Sequence, residues 1–247
     1  MEIIIFLQQY LVLILLALAI LNWSWKIFRR SELFLQLNII LFPNNAEKHF
    51  ALGYCLYDKK KKLDNAEKEL RQAVALNSQD YRYLLVLGYV LQIKEKYGEA
   101  FENYQRVVKL NPHNASAFGN IGVLLHEVFN RFDEAEQAYR RSIELNPQDP
   151  LGHFQLGWLL LDRFHRYEEA ESHFFKTLEL NPQDETALYN LACIKSFSQD
   201  SDLAFDYLRK AIEKGFDKNW AWNDKDLEWL QNDLRFTEIV GPRPNKD

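Results

Sequence analysis

Cysteine and glycine are both scarce in this chain of 247 residues, which holds two Cys and nine Gly. So little glycine disfavours a fold built on glycine-rich phosphate loops, and no such loop is visible. Cys55 and Cys193 lie several repeats apart in the periodic pattern described below, too far for disulfide geometry. They read as two half-buried thiols in a reducing compartment. Also missing is metal-ligand spacing. None of His49, His113, His126, His153, His165 and His173 stands at such a distance from another His or a Cys. There is no nucleophile elbow and no paired catalytic carboxylate. These gaps argue against an enzyme and predict no cofactor and no metal site. Excess positive charge is lacking too. The formal net charge is −5, so neither nucleic acid nor anionic lipid attracts the chain in bulk, and no nucleic-acid partner is expected.

One absence is local. No charged residue occurs between Glu2 and Lys26, and residues 3–21 read IIIFLQQYLVLILLALAIL. As a helix at ~1.5 Å per residue this stretch matches the hydrocarbon thickness of a bilayer. Trp23 and Trp25 follow at the level of an interfacial aromatic belt, then Lys26, Arg29 and Arg30. A cleaved signal would begin with positive charge, and this start carries Glu2. Residues 3–25 are therefore expected to form one transmembrane anchor. The basic flank places the rest of the chain on the cytoplasmic or equivalent (stromal) side.

What the chain has in abundance is itself. LNPQD stands at 145–149 and again at 180–184, LNPHN at 110–114 and LNSQD at 76–80. A fixed step of this size is the mark of stacked repeats. Aligning the copies puts Gly53, Gly88, Gly122, Gly157 and Ala192 in register, each after an apolar residue. A second small residue follows in every copy (Ala66, Ala100, Ala135, Ala170, Ala204), and four positions later a bulky one (Leu70, Tyr104, Tyr139, Phe174, Leu208). Each copy reads as two amphipathic helices. Small residues let the helices approach, bulky ones fill the seams, and stacking buries the apolar face that no copy can bury alone. At the joints, Asn146 and Asn181 are expected in the left-handed conformation that ends a helix. Pro147 and Pro182 prevent its continuation. Asp149 caps the next helix, with Pro150 at its first position. The copies beginning at 46, 115 and 150 carry one extra residue, expected in the turn between their two helices.

This register resembles the tetratricopeptide repeat (TPR) over roughly residues 46–216. The resemblance implies an all-α superhelical solenoid of about five helix-turn-helix repeats, at 46–80, 81–114, 115–149, 150–184 and 185–216, behind the N-terminal transmembrane helix. Residues 26–43 read as a linker helix covering the first copy and ending at Pro43. Residues 217–247, with Trp220, Trp222, Trp229, Phe236 and Ile239, read as a cap on the last copy, or alternatively as an aromatic ligand pocket.

The family's register implies a concave protein-binding groove lined by Phe50, Tyr54, Tyr57, Arg82, Tyr89, Asn120, His126, Phe154, Trp158, Tyr189 and Asn190. Some members grip a terminal carboxylate with a Lys and Asn pair. Phe50 and Tyr54 stand at those positions here, so an extended apolar peptide or a partner helix suits this surface better. Anchored members include assembly factors for photosynthetic complexes and for envelope biogenesis. The expected function is a non-enzymatic, membrane-tethered scaffold that recruits or assembles membrane-associated complexes. The alternative is a regulatory subunit that holds a soluble enzyme at the membrane.

Overall fold

The computed structural model of the chain describes residues 32–58 and 62–243. The expected anchor at 3–25 lies outside them. Among the described residues no helix is long and apolar enough to cross a membrane, and every element is helical. The chain forms two compact units, Met1–His113 and Asn114–Asp247.

The first unit contains α1 (Glu32–Leu41), α2 (Ala46–Asp58), α3 (Leu63–Leu76), α4 (Tyr81–Ile93) and α5 (Tyr97–Leu110). The helices pair as α2 with α3 and α4 with α5, and α1 lies against α2. The small residue of each copy faces the bulky one. A Cβ on Gly88 would sit 2.5 Å from the Tyr104 ring, so only glycine permits this approach. Tyr104 is wholly buried, and its hydroxyl donates to Gln92 Oε1 at 2.9 Å. Polar side chains tie the helices together at the rim. Glu67 accepts from Arg71 (2.7 Å), Lys94 (2.6 Å) and Lys96 (2.7 Å). Burial alone would raise its pKa, but these three cations outweigh that and hold its carboxyl at about 2. The second unit repeats the arrangement with Glu136, which accepts from Arg140 (2.7 Å) and Arg166 (2.8 Å).

The second unit contains α6 (Ala115–Val123), a π-helical turn (Leu124–Val128), α7 (Phe132–Leu145), α8 (Pro150–Asp162), α9 (Tyr167–Leu180), α10 (Glu185–Phe197) and α11 (Ser201–Glu213). Two 3₁₀ segments (Lys218–Trp220 and Lys225–Asn232) and α12 (Leu234–Val240) follow. Here α6/α7, α8/α9 and α10/α11 pair. In the copy beginning at 115, the extra residue is absorbed upstream of the turn where it was expected. The backbone N–H of Phe129 donates to Leu124 O at 3.0 Å, the i to i−5 bond of a π-bulge.

The joints correct a second expectation. Asn146 and Asn181 are extended, with φ of −141° and −135°, and not left-handed. The Asn181 side-chain oxygen instead accepts from the N–H of Gln183 at 3.3 Å, spanning the proline as an Asx turn. Left-handed residues occur within the repeats, at the turns between paired helices: Glu95, Asn130, His165 and Gln199. The cap behaves as read, since Asp149 accepts from Leu151 N at 3.1 Å.

The terminal segment closes the last helix pair. Ala221, Trp222, Leu227, Leu230, Phe236 and Val240 are buried with Leu188, Phe205 and Leu208 of α10 and α11. The Trp222 and Phe236 rings meet edge to face at 4.8 Å. Not every aromatic of the segment is used this way, because Trp220 stays 69% exposed and Trp229 47%.

Candidate functional site

In the first unit the groove positions form a run of rings. Phe50 lies 4.8 Å from Tyr83 and 6.2 Å from Tyr54. Tyr57 stacks on Tyr89 at 6.4 Å, and Tyr89 lies 5.9 Å from Tyr104. Arg82 spreads over the Phe50 ring at 5.7 Å, while its guanidinium donates to Asp80 (2.6 Å) and Glu47 (3.1 Å). Those carboxylates already engage its charge. Phe50 and Tyr54 thus belong to a strip of rings, with the ion-paired Arg82 guanidinium beside it.

In the second unit the structure brings four of the six expected residues together. Phe154, Trp158, Tyr189 and Asn190 line one cavity of about 490 Å³. Phe154 and Trp158 are one turn apart on α8. Thr186, Tyr189, Asn190 and Cys193 form an i, i+3, i+4, i+7 stripe on α10, and all four reach the cavity. The other two expected residues stand elsewhere. Asn120 donates to its own helix, at Ser116 O, 2.6 Å away. His126 is buried at 4% exposure, edge-on to Phe132 and Tyr139, and burial lowers its pKa. Its neighbour Glu127 reaches the cavity in its stead. Both sit in the π-turn, where a register counted at 3.6 residues per turn from Gly122 no longer holds.

The remaining wall comes from the terminal segment and the turn before it: Phe216, Asp217, Trp220, Asp224 and Asp226. This segment is thus both a cap and a pocket wall. Tyr189 joins the two, stacked on Phe216 with centroids 4.0 Å apart and donating its hydroxyl to Asp224 Oδ2 at 2.6 Å. Asp224 Oδ1 accepts from Asp226 N at 2.9 Å and so caps the second 3₁₀ segment. Ser196 on α10 donates to Asp226 O, and Trp229 Nε1 donates to Ser196 O at 3.0 Å.

Donor atoms of Cys193, Asp224 and Asp226 lie within 4.8 Å of one another. Burial pushes the Cys193 thiol well up. Burial, then the Asp224 charge, raises the Asp226 carboxyl. Asp224 itself already accepts the tyrosine hydroxyl. The cluster acts as a hydrogen-bonded anchor for the wall. One polar group is left over: the side-chain Nδ2 of Asn190 is buried and has no hydrogen-bond partner among the described residues. An orphaned buried donor costs free energy, which an acceptor recovers once a small side-chain rotation turns the donor to the cavity.

Models of the tetratricopeptide repeat match residues 59–115 and 85–150, 138–172 and 185–213, together more than half of the chain. No curated protein matches it in sequence. Among solved structures it is similar to YrrB, described as a TPR protein with an unusual peptide-binding site. That match is 23% identical, with a TM-score of 0.61, over 81% of this chain and 98% of the other. It is also similar to PilF of Pseudomonas aeruginosa (21% identical, TM-score 0.63, 83% and 85% covered). A third similar structure is PilW, described as a type IV pilus biogenesis factor (18% identical, TM-score 0.67, 78% and 90% covered). At these identities the likeness is one of fold. The repeat register, the Gly-to-aromatic contacts and the matched models agree that the chain belongs to the tetratricopeptide repeat family.

Proposed function

We propose that this protein is a non-enzymatic interaction scaffold whose second unit binds an extended segment of a partner protein in the Trp158–Tyr189–Asn190 pocket. Residues 3–25 would tether it to a membrane, with the repeats on the cytoplasmic or stromal side, where it assists assembly of membrane-associated complexes. The observation that carries the reading is the unpartnered Asn190 amide in an aromatic pocket, which suits the carbonyl of a bound peptide backbone. TPR proteins generally bind peptides or other proteins rather than catalyse reactions. Two of the similar folds fit the reading, one described with a peptide-binding site and one as a biogenesis factor. The tether rests on the uncharged run before Lys26.

The test is affinity capture from detergent-solubilised membranes with wild type and Trp158→Ala. Trp158 is 39% exposed, and truncating such an anchor costs roughly 2 kcal/mol of binding. The expected result is a set of assembly intermediates held by wild type and lost from the variant. A single soluble enzyme in their place would favour the regulatory-subunit alternative. Capture unchanged by the substitution would remove the pocket from the account.

A further inference from the structure

The charged residues that line the pocket are all of one sign. Its wall carries four carboxylates, Glu127, Asp217, Asp224 and Asp226, and no Lys or Arg. Elsewhere in the same unit acids are paired with bases: Glu136 and Glu169 with Arg140, Glu171 with Lys195, Asp206 with Lys210, Asp202 with Arg235. Among the described residues none of the four pocket acids has such a partner. Asp224 and Asp226 are occupied in holding the wall. Glu127 and Asp217 are exposed at the cavity, and the Asp217 carboxylate accepts from Asn219 of its own 3₁₀ segment. Trp158 and Trp220 line the same cavity and are 39% and 69% exposed. Such rings attract cations through their faces, and unpaired acids beside a low-dielectric wall strengthen that attraction.

We infer that the pocket of the second unit is a specificity site for a basic side chain, lysine or arginine, carried by the extended partner segment. The aliphatic stem lies along Trp158 and Trp220, the cationic head meets Glu127 and Asp217, and the adjoining backbone carbonyl accepts from Asn190. This rests on the peptide-binding reading above and adds the chemistry of one partner residue. It also gives the terminal segment a second task. Without Asp217 and Trp220 the pocket would keep its floor on α8 and α10 but lose its preference for charge.

The test uses the full chain in mild detergent and immobilised nonapeptide libraries. In each library the central residue is fixed (lysine, arginine, norleucine or glutamate) and the flanks are random. Retention on the lysine and arginine libraries is expected to exceed that on norleucine by about tenfold, the factor that 1.4 kcal/mol produces. It should fall at high salt and be lost in Glu127→Gln/Asp217→Asn. Asparagine at 217 still accepts at the 3₁₀ N-terminus, so the wall is kept. Equal retention on all four libraries, retention on none, or retention of the basic libraries by the double variant would each overturn the assignment. Failure of the parent reading shows separately, as partner capture from membranes that survives Trp158→Ala.

Discussion

Gly88 offers a test of the packing that positions the rest. A methyl group there would meet Tyr104 Cε1 at 2.5 Å and Cδ1 at 2.9 Å. The ring has no free space, since Tyr104 is wholly buried and its hydroxyl is tethered to Gln92. Gly88→Ala must therefore move the ring or part α4 from α5, an overpacking cost of about 1–3 kcal/mol. Ten residues later, Gly98 lies exposed in the first turn of α5, and a methyl group there meets nothing within 4 Å. Gly98→Ala restricts the unfolded chain without a clash and should stabilise by about 0.4–1 kcal/mol. The same chemical change thus has opposite signs on facing helices. Urea denaturation followed by circular dichroism measures both. Adding Tyr104→Leu should give no rescue, because in the first copy a Cβ on Gly53 would still meet Leu70 Cγ at 2.7 Å. Equal shifts for the two alanine variants, or full rescue by leucine, would refute the close-approach argument.

Two further outcomes test the polar seams and the cap. His153 Nε2 donates to Pro147 O at 3.2 Å, so its Nδ1 accepts from His173 Nδ1, also at 3.2 Å. Burial, then the second imidazole, lowers the His173 pKa to about 4. The unfolded chain binds that proton near pH 6.5, so stability should fall as pH drops from 6.5 towards 4, by about 1–2 kcal/mol between pH 7.5 and 5. In the first unit the equivalent pair is His49 with Glu69, at 2.7 Å. His173→Glu should accordingly abolish or reverse that slope, and parallel pH profiles for the two proteins would contradict the assignment. In the cap, Trp222→Ala should cost about 3–5 kcal/mol, as for other buried aromatics. Trp220→Ala, at a residue 69% exposed, should leave the melting curve nearly unchanged, and similar losses for both would refute the division of labour.

The repeats were legible because their causes are local. The apolar period, the Gly and Ala pairs and the Pro at three of the four joints act within one copy, and Asp149 with Pro150 marks a helix start wherever it occurs. Where the sequence misled, one local signal had two physical outcomes. Asn before Pro can end a helix left-handed or fold an Asx turn, and here the turn wins, leaving the left-handed position to Glu95, Asn130, His165 and Gln199. An extra residue can lengthen a turn or bulge a helix. In the copy beginning at 115 it bulges, which sends Glu127 to the pocket in place of His126. The wall from Phe216 to Asp226 was legible only as aromatic and acidic. Its place opposite Trp158 depends on contacts such as Tyr189 with Asp224 and Trp229 with Ser196, each more than thirty residues apart in sequence, and no periodicity encodes them.

Asn190 gives the most direct measurement of the central claim. A residue kept for packing is missed by the fold when removed, whereas one kept for a partner is missed only by the partner. Its Nδ2 has no partner among the described residues, so Asn190→Ala removes a buried orphan and should leave stability unchanged or slightly raised. Affinity of purified variant and wild type for the captured partner, measured beside their denaturation midpoints, separates the two roles. The account predicts at least about tenfold weaker binding, the loss of one buried peptide hydrogen bond, with no loss of stability. A destabilised variant that binds its partner as tightly as wild type would contradict it.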